Sequence, residues 1–160
     1  MIDDYSRVLT LVGAVSAGVV GGAFFAFSAF VMKALGRLTP AQGVSAMQAI
    51  NKAAPTPVFM LALFGTAAVC VVLAVSALTR LGEEPAVYEL VGSLLYLATV
   101  VLTIVYHVPR NDALALVDPG TDAAAAAWGR YLDDWTTWNH VRTATSIAGS
   151  AVLTLALRAG

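Results

Sequence analysis

Long apolar runs limit what this chain can fold into. Residues 8–32, 57–78 and 87–108 are almost free of charge, and each is long enough as a helix to cross a bilayer. A fourth run, 143–157, follows a polar stretch. Hydrophobic residues make up 59% of the 160 and charged residues only 12%. A soluble domain carries about 25% charged residues. A buried core alone does not account for that gap, so the chain reads as a single integral membrane domain, residues 1–160. The net charge of -1 offers no basic face for nucleic acid. Cys70 is the single cysteine and lies inside an apolar run, so neither an internal disulfide nor a Cys-x-x-Cys site is possible.

The flanks and loops give the order of elements. Asp3 and Asp4 precede the first run, where a secretory signal would carry positive charge, so 8–32 reads as a retained span. Thr39-Pro40 pairs a helix cap with proline at the first helical position. Val44, Met47, Ile50 and Ala54 then form one stripe, which predicts a short amphipathic helix on the membrane surface. Pro55-Thr56-Pro57 breaks it and opens the second span, 57–78; the third, 87–108, stops near Pro109. A loop over 110–121 leads to Asp122, the cap of a helix that continues through Trp128, Tyr131 and Trp135 into a fourth span, 138–157. The expected fold is all-α. It is a four-transmembrane-helix bundle with both termini on one side, a short interfacial helix in loop 1 and a helical extension before the fourth span. Lys33, Arg37, Lys52, Arg110 and Arg130 outnumber Arg7, Arg80 and Arg158, which places loops 1 and 3 in the cytoplasm. The abundance of Arg, Ala, Val and Gly suits a bacterial inner membrane, with the protein as a multi-pass component of the cell membrane. Gly18-x-x-x-Gly22 suits close helix packing within the monomer first and a homo-oligomer second.

Polar residues within the spans fall on stripes. Tyr96, Thr99, Thr103, Tyr106 and Arg110 share a face of the third span. Trp128, Tyr131, Trp135, Trp138 or Asn139, Arg142, Ser146 and Gly149 share a face of the fourth helix. Lipid offers such groups no partners, so the stripes are expected to face each other. The run Trp138-Asn139-His140-Val141-Arg142 stands out, because ionisable residues are costly at such depth and point to function. Asn139 and Arg142 share a face with Trp135 and Trp138. His140 lies about 100° from Asn139 and about 160° from Arg142, which puts it at the edge of any pocket that Arg142 faces. The third span ends on the same side with Tyr106-His107-Val108-Pro109-Arg110-Asn111. His107, Asn111, Asn139, His140 and Arg142 are therefore candidates to converge.

These segments carry a family resemblance. Phe24-Phe25-Ala26-Phe27-Ser28 closes the first span, and Met47-Gln48-Ala49-Ile50-Asn51-Lys52 is followed by Pro57-Val58-Phe59-Met60. Val108-Pro109-Arg110-Asn111 closes the third span, and Trp138-Asn139-His140-Val141-Arg142 opens the fourth. In this order and spacing the chain resembles the DUF1772 family, the anthrone oxygenase-like small integral membrane proteins. His107 stands where relatives more often carry Asn. The resemblance implies a monooxygenase that oxidises anthrones to anthraquinones with O2, with neither flavin nor haem.

An anthrone loses a proton from its central methylene because the carbanion delocalises onto the carbonyl, and the enolate reacts with O2. Such chemistry calls for a base, an oxyanion stabiliser and an apolar slot. His140 is the expected base, with His107 second. Arg142 and Asn139 are the expected stabilisers. Trp135, Trp138 and Tyr106 are the expected walls, with Asn111 and His107 in the substrate-binding set. The expected partners are a small aromatic hydrophobic substrate, O2 and the lipid bilayer. Two other readings stand beside this oxidoreductase. One is a haem, copper or iron protein with His107 and His140 as ligands. The other is a non-enzymatic small-molecule binder or complex subunit, whose polar stripes serve packing. No interrupted repeat pair and no midplane carboxylate suggests a transporter.

Overall fold

The computed structural model describes the backbone of residues 2–159 and the side chains of residues 5–159, so those of Asp3 and Asp4 lie outside the described set. Every regular element among the described residues is helical. Helix α1 runs over Ile2–Ala26, passes through a wide π turn at Phe27–Val31 and finishes at Met32–Leu35. Helix α2 is Pro40–Ala53. Helix α3, Pro57–Leu78, has a π turn at Leu61–Gly65, and helix α4, Glu84–Ala115, has one at Thr103–His107. Helix α5 is Ala123–Ala159, 37 residues without a break, so the extension and the last apolar run are one element. Tyr5–Leu35, Pro57–Leu78 and Glu84–Ala115 are long and apolar enough to cross a membrane. Helix α5 is longer, but Arg130, Asp133 and Asp134 interrupt its first half.

One sequence expectation needs correction. The helix holding Pro109 does not stop there but continues to Ala115. A proline in a regular helix clashes with the carbonyl four residues back and forfeits a hydrogen bond. The π turn just before Pro109 widens the backbone and makes room for the ring. Helix α2, in turn, packs its apolar stripe on α5. Thr39 and Gln42 form a reciprocal capping box at its start. Val44 and Met47 are buried in one cluster with Trp128, Tyr131 and Trp135. The Trp128 indole lies directly on Gly43, where any Cβ would collide with the ring.

Helix α5 sits between α1 and α4 and packs on both along their lengths. It is antiparallel to α1, which brings both ends of the chain to one side. Ser150 Oγ donates to the Ala14 carbonyl at 2.7 Å and Ser146 Oγ to the Ala17 carbonyl at 2.9 Å. Gly18 and Gly21 spend their small size on this contact, facing Ser150 and Ile147, while Gly22 meets nothing within 4 Å. Against α4 the backbones touch: a Cβ on Gly149 would lie 2.9 Å from the Gly92 carbonyl oxygen. The core between these helices is built from Ala17, Val20, Leu73, Tyr96 and Leu153.

The end of the bundle near the chain termini is pinned by a charge pair. Glu89, only 4% exposed, accepts from Ser6 Oγ at 2.8 Å, Thr10 Oγ1 at 3.1 Å and Arg80 Nη2 at 2.7 Å. Arg80 also reaches Glu83 at 3.3 Å. Burial opposes the Arg80 charge, but the hydrogen bonds and charges of Glu89 and then Glu83 outweigh it and hold its pKa above the ordinary value. Glu89 is near the start of α4 rather than at its middle, within reach of the preceding turn.

Candidate functional site

At the opposite end, toward loops 1 and 3, the helices part around a cavity of ≈ 600 Å³. Helices α1, α2 and α3 form one wall and α4 and α5 the other. Its surface is mostly apolar, with Phe24, Phe27, Met47, Phe59, Leu63 and the Trp135 indole prominent. Each of the three π turns contributes lining residues: Phe27, then Leu63 and Phe64, then Thr103 and Ile104. Such turns re-aim side chains and disturb the regular backbone ladder, and they recur at functional sites. Side chains supply bonds at carbonyls in or just before each of them. Asn139 Nδ2 donates to the Phe24 carbonyl at 2.9 Å, the Tyr96 hydroxyl to Leu63 at 3.0 Å, and His107 Nδ1 lies 3.3 Å from the Leu102 carbonyl.

Arg142 is the one charged side chain in the cavity wall, and it is 5% exposed. Its Nη2 and Nε donate to Asn139 Oδ1 at 2.6 and 3.1 Å, and its Nη1 donates to Thr103 Oγ1 at 3.4 Å. The guanidinium plane lies 3.7 Å over the Phe24 ring and 5.3 Å from Trp135, so two aromatic faces share its charge. Among the described residues no carboxylate pairs with it. Asn139 is fixed in turn, because its amide nitrogen donates to Phe24 and to Ser28 Oγ at 2.8 Å, which turns its oxygen toward Arg142. Ser28 Oγ also meets Thr143 Oγ1 at 3.2 Å.

A second polar group lies across Trp135. Asn111 Oδ1 accepts from the Tyr131 hydroxyl at 2.7 Å and from Trp135 Nε1 at 3.0 Å, which orients the indole. Tyr131 belongs to the extension before the last apolar run, and burial raises its phenol pKa well above the ordinary range, so it stays a neutral donor. Asn51, near the end of α2, also lines the cavity, and its buried Nδ2 lies beside the Tyr131 hydroxyl without a well-formed hydrogen bond.

The structure thus brings Arg142, Asn139, Asn111 and Trp135 together, but not the whole predicted set. His107 is buried edge-on against Trp135 at 5.2 Å and does not line the cavity; its Nε2 has no partner. Tyr106 and Trp138 pack against each other outside it, rings tilted by 40° with centroids 4.8 Å apart, and the Arg110 guanidinium lies 3.3 Å over the Tyr106 ring. A regular helix would place Tyr106 and Arg110 on the inner stripe with Thr103. The π turn absorbs one extra residue, so the inner positions move on by one, to His107 and Asn111. His140 is exposed and faces away from the buried side of α5, as its angle from Arg142 requires. The expected convergence of His140 with the other four residues is therefore not found. The two imidazoles lie on different faces, and no three His, Cys, Asp or Glu side chains gather among the described residues.

Sequence reasoning overlooked Phe59, Asn51 and Thr103 as cavity residues, and it read Phe24 and Phe27 as core packing first and as an aromatic pocket wall second. A signal existed for Asn51, which sits four residues after Met47 on the same helical face.

The fold and site define a helical protein with membrane-length apolar helices and one buried arginine facing an aromatic cavity. A family model described as anthrone oxygenase matches residues 58–152, more than half of the chain, which therefore belongs to the anthrone oxygenase family. No curated protein and no solved structure matches it. The matched stretch contains Thr103, Asn111, Trp135, Asn139 and Arg142, whereas Phe24 and Asn51 lie before it.

Proposed function

We propose that this chain is a four-span membrane oxygenase of the anthrone oxygenase type, oxidising a flat aromatic ketone with O2 without an organic cofactor. In this reading α5 supplies the fourth span through its last apolar run. The observation that carries it is Arg142. A buried guanidinium with neutral partners, at the edge of an apolar cavity, lacks an anion. An enolate oxygen of the substrate supplies one where water competes least.

With the carbonyl oxygen of an anthrone at Arg142, the central methylene loses its proton to water at the cavity mouth. The charge settles on the oxygen facing the guanidinium. The enolate gives one electron to O2, and the two radicals combine into a carbon–oxygen bond. Protonation gives a hydroperoxide. Loss of water then leaves a second carbonyl, so one oxygen atom enters the product and the other leaves as water. Asn139 and Thr103 hold the guanidinium in place, and Phe24, Phe27, Phe59 and Trp135 sandwich the rings. The Asn51 amide, without a well-formed hydrogen bond of its own, donates to an oxygen at a second position of the substrate. His140 has no part in this scheme.

The test is O2 uptake and quinone absorbance with an anthrone and the purified protein in nanodiscs. Arg142→Gln should lose about 10²–10³-fold in kcat, the usual cost of removing one preorganised oxyanion donor. Exposed His140→Ala should stay within about twofold. Native rates in Arg142→Gln, or loss of turnover in His140→Ala alone, would overturn the assignment.

A further inference from the structure

The cavity wall is incomplete on one side. Helices α3 and α4 pack together through Thr66–Leu78 and Glu84–Leu102, but their other portions, 57–65 and 103–115, part from one another. In that gap Phe64, Ile104 and Val108 line the cavity and are 47%, 50% and 44% exposed. Phe64 and Ile104 belong to the two facing π turns. Phe64 lies seven residues inside the start of α3, which is about 10 Å along a helix axis. With α3 read as a span that starts at Pro57, the rim lies at hydrocarbon depth. Exposed apolar side chains are ordinary on a lipid-facing helix. These three differ because each also bounds the cavity.

We infer that the gap between α3 and α4 is a lateral portal through which the cavity exchanges uncharged, planar, lipid-dissolved aromatic molecules with the bilayer. The inference rests on the proposed reading that such a molecule occupies the cavity. The rim carries no polar group to replace a hydration shell, so a charged or strongly hydrated molecule has no route across it. An uncharged tricycle already dissolved among acyl chains reaches Arg142 without leaving apolar surroundings. Its product, a neutral quinone, leaves the same way. The competing route is aqueous, past Ala53, Ala54 and Pro55, which are exposed in loop 1 and also line the cavity.

The two routes separate kinetically. Protein in nanodiscs is mixed with vesicles carrying 9,10-anthraquinone, which does not react further, and binding is followed by quenching of tryptophan fluorescence. The double variant Ile104→Phe/Val108→Phe narrows the gap. It should slow association and dissociation about tenfold each, whereas a loss of cavity contacts alone would speed dissociation. Phe64→Ala should speed both, which keeps the inference testable if the double variant folds poorly. Ala54→Phe should change neither. If Ala54→Phe slows binding and the rim variants do not, the portal is wrong while the cavity stands as the binding site. If the native protein does not bind anthraquinone at all, the reading of the cavity fails and the portal falls with it.

Discussion

A guanidinium buried in an apolar wall must find its partners among neutral groups. Arg142 finds Asn139, Thr103 and the ring of Phe24. Each of these is fixed by something else, so the charge is held by a network and not by a single bond. Asn51 is the complementary case, with a buried amide nitrogen, in the same cavity, whose one polar neighbour, the Tyr131 hydroxyl, gives it no well-formed hydrogen bond. An unmade hydrogen bond at a buried donor costs about 1–3 kcal/mol, and a substrate oxygen arriving there recovers part of it. Asn51→Leu should therefore raise KM about tenfold and leave kcat nearly unchanged, the pattern of lost uniform binding. It should also raise thermal stability slightly, because an unsatisfied polar group is gone. Steady-state kinetics on the anthrone and a melting curve in detergent check the two halves, and an unchanged KM would remove Asn51 from the substrate contacts.

Helices meet at different tolerances in this bundle, and glycine marks the tightest. A Cβ on Gly92 would lie 2.8 Å from Leu153 Cγ, 3.0 Å from the Leu153 backbone nitrogen and 3.1 Å from the Gly149 carbonyl oxygen. The backbone atoms cannot step aside as a flexible side chain would. Gly92→Ala should cost about 1–3 kcal/mol through this overpacking, even though alanine is the better helix former by about 1 kcal/mol. Gly22→Ala, with open space around it, should stabilise or leave stability unchanged. Unfolding of the two variants in mixed micelles measures the difference, and equal stabilities would mean that α4 and α5 are not in contact as described. The same helices show what sequence can carry. Three membrane-length helices are legible because a bilayer-length apolar run has few other uses, and the shared face of Asn139 and Arg142 is legible because α5 is a regular helix there. The phase of α4 is not legible. A π turn is one added residue with no mark of its own in Thr103-Ile104-Val105-Tyr106-His107, yet it exchanges Tyr106 and Arg110 for His107 and Asn111 on the inner face. The aromatic wall is hidden for a different reason: Phe24 and Phe27 have the same apolar character whether they meet a neighbour or a void.

The molecule as a whole is closed at one end and open at the other. At the cavity end three helices carry π turns and α3 departs from α4. At the other end Glu89 gathers Ser6 and Thr10 of α1 and Arg80 of the turn between α3 and α4. A bundle that splays at one end to hold a ligand needs its helices fixed at the other, and this cluster joins three of them. The pair is unequal, because Glu89 is nearly enclosed while the Arg80 side chain is 21% exposed and keeps Glu83 in reach. Removing the arginine strands a carboxylate in the interior. Removing the carboxylate leaves an arginine with solvent and a second partner. Arg80→Leu should therefore destabilise by about 3 kcal/mol, near the lower bound for breaking a buried pair. Glu89→Gln, which keeps a hydrogen-bonding oxygen for Ser6 and Thr10, should cost about 1 kcal/mol. The double variant should be more stable than Arg80→Leu alone, since no uncompensated charge remains. Unfolding free energies of the three variants in one detergent test this order. If Arg80→Leu is as stable as the native chain, the cluster is not what holds the closed end together, and the splay at the cavity needs another anchor.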